Sequence, residues 1–225
     1  MLAIPCLFPS CEVCPGRCAA VGVEPLESLD PMRSEDLSVE LVRSRSTGPG
    51  LQRPGTLHVC PLNRVHDTLA ESGARHLVTL INRQTMLATP PGIEPGNHLR
   101  LAVNDIIAPQ DGLIHPCESH VEELIRFAQA WNRQGPLVVH CWAGISRSTA
   151  AAFITLCALN PTAPEVLVAK RIRQASPTAC PNRLLVRLAD NFLGRRGRML
   201  SAIDEMGPPE PASEARPFAL SSTLP

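Results

Sequence analysis

The 225-residue chain contains no tyrosine, and aromatic residues make up only 3% of it. Any core must therefore be built from Leu, Val, Ile and Ala. Charge of one sign is also lacking: 21 Lys and Arg stand against 21 Asp and Glu, a formal net charge of zero. That balance argues against a dedicated nucleic-acid or anionic-membrane binder, which normally carries a basic excess. Apolar runs fall far short of the ~20 residues a membrane helix needs. The opening residues Met1-Leu2-Ala3-Ile4-Pro5 lack the basic flank and apolar stretch of a secretory signal. Nine cysteines, an odd number, then argue against a disulfide framework and for a reducing, cytoplasmic setting. Lys170 is the only lysine, so every other fixed positive charge is an arginine.

Composition divides the chain into three parts. Residues 1–54 hold Pro5, Pro9, Pro15, Pro25 and Pro31, a charged stretch from Glu24, and a Ser/Arg/Gly run to Gly50. They read as an extension, largely disordered. Cys6, Cys11, Cys14 and Cys18 are spaced C-x4-C-x2-C-x3-C, loosely like a metal-ligand set, without a second ligand pair to support it. Met32 could also serve as a start. Residues 55–200 carry regular signals and are expected to form the catalytic domain, with 201–225, rich in proline, as a flexible tail.

Within 55–200, strands are expected at His76–Ile81, 99–103 and 136–140, besides the short apolar segment Leu57-His58-Val59. Helices are expected at about 64–72, 119–132, 148–159, 164–174 and 182–193. For the second helix, Ser119 is the expected cap, with Glu122 completing a capping box. Alternating strands and helices predict an α/β fold, a mostly parallel sheet with helices on both faces.

The sharpest feature is Val138-Val139-His140-Cys141-Trp142-Ala143-Gly144-Ile145-Ser146-Arg147-Ser148-Thr149. A Cys followed by Arg six positions on is weak evidence alone, because Cys11 and Arg17 share that spacing. Context separates them. Cys141 follows a β-favouring run and precedes a helix apolar on nearly every side, whereas Cys11 follows Phe8-Pro9-Ser10 and precedes Pro15-Gly16. A tight loop entering a buried helix offers backbone N–H groups and a positive helix end to one anion, with Gly144 supplying backbone freedom. Such a cradle suits a phosphate bound by the loop Trp142, Ala143, Gly144, Ile145, Ser146 and Arg147. It also lowers a thiol's pKa, which makes Cys141 a candidate nucleophile. The planar fork of Arg147 can grip two phosphoryl oxygens. This chemistry needs no metal and no cofactor.

These residues resemble the signature loop of the cysteine-dependent protein tyrosine phosphatases, HCxxGxxRS[ST]. The likeness is greatest to the dual-specificity subclass and to compact bacterial tyrosine-phosphatase-like proteins. It extends more weakly over about residues 56–195, where Ser176–Asn182 looks like the family's proline-and-asparagine turn. The resemblance implies that Cys141 is the nucleophile, Arg147 the phosphate clamp, and Ser148 the hydroxyl that eases thiolate departure. The implied activity is hydrolysis of phosphotyrosine, and of phosphoserine or phosphothreonine too, on a phosphorylated protein substrate.

Two carboxylic acids could protonate the leaving group. Asp105 follows the strand at 99–103 almost directly and lies where the resemblance places the family's acid. Asp111 sits in a Pro109-Gln110-Asp111-Gly112 turn, where Asp is a common turn former. Asp105 is the favoured assignment. His140 is expected to brace the loop, Trp142 to shape the rim or pack, and the cluster Arg195-Arg196-Gly197-Arg198 to be a solvated helix end. Cys157 is expected to be structural. Alternatives remain: a silent phosphate-reading module, a phosphoinositide or nucleotide phosphatase, or arsenate reduction or sulfur transfer on a similar loop. Polyanionic substrates usually need further cations, which Trp142, Ala143, Ile145 and Ser146 do not supply.

Overall fold

The computed structural model of the chain describes residues 55–224. The candidate N-terminal cysteine set and Met32 lie outside the described residues. Strand β1 (Thr56–Pro61) leads through a 3-10 turn into helix α1 (Val65–Ser72), then β2 (His76–Ile81), β3 (His98–Ala102) and α2 (Glu118–Ala130). Strand β4 (Leu137–Cys141) follows, then α3 (Arg147–Leu159), α4 (Glu165–Ala175), α5 (Arg183–Phe192), α6 (Arg198–Asp204) and β5 (Phe218–Ser221). The sheet order is β3-β2-β4-β1-β5; β5 alone runs antiparallel.

The expected α/β architecture is what the chain adopts. Val138 of β4 joins Cys60, Val65, Ala74, Leu77 and Ile93 beneath α1. Its neighbours Leu137 and Val139 turn to the opposite face, into the larger core shared with α2 to α6. A central parallel strand buried on both faces reads as one continuous apolar run, which is why β4 shows no alternation in the sequence. Helix α3 lies innermost, with every residue from Arg147 to Cys157 buried. Among the described residues no helix is long and apolar enough to cross a membrane.

Three local expectations are corrected. Helix α2 is capped by Cys117, not Ser119: with its backbone extended, the Cys117 side chain accepts from the backbone of His120, and the His120 ring accepts from the Cys117 amide at 3.2 Å. Ser119 already lies inside the first turn, where its hydroxyl meets the Cys117 sulfur at 3.1 Å.

Residues 201–225 are not simply a tail. Helix α6 runs on to Asp204, and β5 pairs with β1 from Thr56↔Ser221 to Val59↔Phe218. Without β5, β1 would be an open edge with a row of unpaired backbone groups. The Ser222 amide extends the pairing to the Gly55 carbonyl at 2.7 Å.

Arg195 is not solvated but 7% exposed. Its guanidinium donates to the carbonyls of Pro161 and Cys157, each at 2.9 Å, and to Glu165 Oε1 at 3.0 Å. It thereby closes the C-terminal end of α3, where carbonyls lack helical partners. Arg198 binds the same Glu165 carboxylate at 3.1 Å from the surface. Arg173 likewise serves structure, donating to the carbonyls of Pro177, Met206 and Gly207. Removing one partner of a buried ion pair strands the other charge, at a cost of about 3–5 kcal/mol. Arg195→Ala is expected to lose stability of that order in urea unfolding, whereas Arg196→Ala, at an exposed position, should change little.

Candidate active site

Strand β4 delivers Cys141 to the end of the sheet, 1% exposed, and residues 142–146 wrap from there into α3. Gly144 sits at φ +73°, and a Cβ there would stand 2.9 Å from the Pro61 nitrogen and 3.1 Å from the Cys60 carbonyl carbon. The loop is thus pressed against the end of β1, which only glycine permits. Its carbonyls turn outward onto fixed neighbours. Leu62 N donates to Trp142 O at 3.0 Å, Ala215 N to Ala143 O at 2.9 Å and Cys180 N to Ile145 O at 3.0 Å. Ser146 O accepts from Ala150 N at 2.9 Å and Asn182 N at 3.3 Å. Among the described residues, no carbonyl or side chain accepts from the amides of residues 142–147. A run of amides without acceptors, ending at the N-terminus of a buried helix, is the physical requirement for an anion cradle.

At the floor, Cys141 Sγ lies 3.1 Å from Ser148 Oγ, both buried. Arg147, 6% exposed, donates from Nη1 to the Val103 carbonyl at 2.9 Å, fixing its fork beside the end of β3. Its Nε is buried without a hydrogen-bond partner and stands 3.6 Å from Asp105 Oδ2. The other carboxylate oxygen, Oδ1, accepts from Ser146 Oγ at 2.7 Å and Asn182 Nδ2 at 2.8 Å. Asn182 is the junction of the site. While its Nδ2 holds Asp105, its Oδ1 caps α5 by accepting from Leu184 N and Leu185 N, both at 3.1 Å.

Beneath the loop runs a chain of buried polar groups. His140 Nδ1 lies 3.3 Å from the Cys141 carbonyl, and its Nε2 lies 2.8 Å from Thr79 Oγ1. Thr79 Oγ1 meets His98 Nε2 at 2.8 Å, and His98 Nδ1 meets Thr89 Oγ1 at 2.9 Å. A carbonyl can only accept, so His140 is protonated on Nδ1 and takes the Thr79 proton on Nε2. Thr79 then accepts from His98, which accepts from Thr89. Burial pushes both imidazoles down to about 4, His140 additionally through Arg147 and His98 through Arg100. Both rings are therefore neutral near pH 7, and His140 braces the loop rather than charging it.

The four other described cysteines are also free. Burial pushes the thiols of Cys60 and Cys157 up to about 12, leaving both protonated. A hydrogen bond with the His120 ring brings the Cys117 thiol down to about 6.

The structure thus brings together Cys141, Ser148, Arg147 and Asp105 with the loop Trp142–Ser146. It does not bring Asp111, which is exposed in its turn and has no bonded partner. Sequence reasoning missed the Val103 carbonyl and the Cys117–His120 pair. It also noticed Asn182 only as part of a turn. The Pro181-Asn182 step before a helical pattern was a capping signal, but nothing local tells that the same side chain reaches Asp105.

Residues 50–158 match the sequence profile of a family described as Tc-R-P, a polymorphic toxin system DSP-PTPase phosphatase. Among solved structures, human DUSP28 is similar at 21% identity and a TM-score of 0.50, with 64% of this chain and 94% of that one covered. A variant of human DUSP28 is similar at 23% identity and 0.50, covering 66% and 97%. DUSP15 follows at 20% identity and 0.47, covering 72% and 96%. No curated protein sequence matches. At these identities the likeness to DUSP28 speaks for the fold alone.

The buried histidines make stability depend on pH in a defined window. Their folded pKa values near 4 lie below the unfolded value of 6.5, so the unfolded chain takes up protons first as pH falls. Stability is accordingly lost between pH 6.5 and 4, by up to about 1.4 kcal/mol per pH unit for each histidine. Urea midpoints across that range should show the decline, and His98→Gln should flatten its slope.

Proposed function

We propose that the chain carries a phosphatase domain of the cysteine-dependent protein tyrosine phosphatase superfamily, dual-specificity-like in type, a reading supported by the family match over residues 50–158. We propose further that it hydrolyses phosphotyrosine, and phosphoserine or phosphothreonine as well, on proteins through a phosphocysteine intermediate. The observation that carries this reading is the run of amides without acceptors that starts beside the buried Cys141 sulfur.

In this mechanism the Cys141 thiolate attacks phosphorus, and the bond from phosphorus to the ester oxygen breaks. The amides of 142–147 and the Arg147 fork stabilise charge on the three equatorial oxygens. Asp105 supplies the proton that the leaving oxygen takes up. Its two oxygens stand differently: Oδ1 already accepts two hydrogen bonds, so Oδ2, facing Arg147, is the one left to carry a proton. A bound dianion competes with Asp105 for Arg147 and leaves Oδ2 free to face the ester oxygen. Water then attacks the phosphocysteine as Asp105 takes its proton, and Ser148 Oγ donates to the departing sulfur. Free thiols at all five described cysteines fit a reducing, cytoplasmic setting.

The test is hydrolysis of aryl and alkyl phosphates in the presence of chelator. Cys141→Ser is expected to abolish turnover while retaining phosphate binding. Asp105→Asn is expected to slow alkyl phosphates by about 10²–10⁴-fold and activated aryl esters far less. Asp111→Asn should match wild type. Phosphate binding with no turnover by wild type would replace this reading with a silent phosphate-reading module, and preference for an inositol lipid over phosphopeptide would move the substrate class.

A further inference from the structure

Among the described residues, four large apolar side chains are conspicuously exposed: Ile107 at 62%, Trp142 at 56%, Phe192 at 49% and Leu113 at 40%. Scattered exposed apolar residues are ordinary, but three of these four lie on the two loops that make the site. Trp142 directly follows Cys141. Ile107 is two residues beyond Asp105, and so within about 7.6 Å of it along the backbone. Leu113 precedes Ile114, whose carbonyl accepts from Asn104 N at 2.7 Å and whose amide donates to Asn104 Oδ1 at 2.9 Å. That pair of bonds staples the loop shut, and Asn182 Nδ2 holds its Ile106 carbonyl at 3.3 Å. Ile107 and Leu113 are therefore held at the surface by an ordered loop.

The sheet order sets these side chains on two flanks. Strands β1 and β3 lie on opposite sides of β4. Trp142 is tied to the β1 side through Leu62 N, while the loop bearing Ile107 and Leu113 leaves β3. The charges around the rim disfavour a polyanion. Residues 103–117 contain no Lys or Arg but hold Asp105 and Asp111, and Arg147 is the loop's own cation. On the third side Glu214, which accepts from Asn63 Nδ2 at 3.0 Å, is offset by Arg216.

We infer that Trp142 on one flank, and Ile107 with Leu113 on the other, form an apolar rim that selects phosphotyrosyl peptides carrying apolar residues beside the phosphotyrosine. An acidic peptide flank would meet Asp111 without a compensating cation on its loop, and at Glu214 only a charge already offset by Arg216. An anionic bilayer surface meets the same obstacle, so the peptide is the better-matched occupant. The inference rests on the proposed phosphatase reading and adds its substrate preference.

Two matched phosphotyrosyl peptides, one flanked by Leu and Val and the other by Glu, test it alongside p-nitrophenyl phosphate. Wild type is expected to show kcat/KM about tenfold higher for the apolar peptide, the scale of one partly buried aliphatic side chain. In Ile107→Asn/Leu113→Asn that ratio should fall towards one, with p-nitrophenyl phosphate turnover within about twofold of wild type. A wild-type preference for the Glu peptide, or a ratio unchanged in the double variant, would overturn the inference while leaving the phosphatase reading intact. So would faster hydrolysis of a monophosphorylated lipid in phosphatidylcholine vesicles, lost in the double variant, which would make the rim a bilayer contact. Should wild type hydrolyse nothing, the catalytic reading fails by itself. Calorimetric binding of Cys141→Ser to the two peptides then decides the rim: tighter binding of the apolar peptide supports it, equal binding sinks it.

Discussion

The loop between β4 and α3 can hold an anion because its carbonyls have somewhere else to go. A five-residue turn with unsatisfied carbonyls would fold back on its own amides and cancel its field. Here Trp142, Ala143, Ile145 and Ser146 each give their carbonyl to an amide outside the loop. The donors are anchored at both ends of the domain, from Leu62 just after β1 to Ala215 just before β5. Gly144 then lets the turn close against β1 at a distance no Cβ tolerates. Remove those external donors and the amides of 142–147 would have no reason to remain without acceptors. The cradle is therefore a property of the tertiary fold more than of the twelve-residue motif.

That dependence gives the C-terminal segment a role that its composition hides. Ala215 holds a loop carbonyl, β5 seals the edge of β1, and the Asn160 side chain donates to the Ser222 carbonyl at 2.9 Å, tying the last turn to the end of α3. A domain ending at residue 200 would lose all three. Asn182 works in the same way at closer range. One amide side chain caps α5, orients Asp105 and steadies its loop at Ile106, so the proposed acid is held from a single buried point.

Much of this was legible in the sequence where local physics decides. The apolar run of β4, the all-round apolar character of α3 and the glycine between Cys141 and Arg147 identified the strand–loop–helix frame unaided. The preference for Asp105 over Asp111 followed from its closeness to the end of β3. Most of what stayed hidden has long-range causes. Phe218–Ser221 is four residues among prolines and becomes a strand only because β1 offers an unpaired edge. Arg195 sits in a basic cluster that looks solvated, and its burial depends on Glu165 and two carbonyls some thirty residues earlier. Cys117 caps α2 against the usual preference for a hydroxyl because His120 completes the reciprocal bond. The partners of β5 and Arg195 lie far along the chain, beyond any window of sequence, whereas the Cys117–His120 pair is local but is not a usual capping pattern.

The electrostatics of the site follow from the same frame. Directly under the loop the protein places two imidazoles, yet burial keeps both neutral and their protons run in one direction, from Thr89 through His98, Thr79 and His140 to the Cys141 carbonyl. A charged histidine there would add a second cation to Arg147 and hold any phosphate product more tightly. With neutral histidines, the positive field comes from amide dipoles and one guanidinium, itself balanced by Asp105 when the site is empty. In the proposed mechanism an incoming dianion would replace Asp105 as the partner of Arg147, leaving the carboxyl beside the reacting ester. Binding and the positioning of the proposed acid would thus be one exchange of partners at the buried Arg147 Nε, which makes no hydrogen bond and stands 3.6 Å from Asp105 Oδ2.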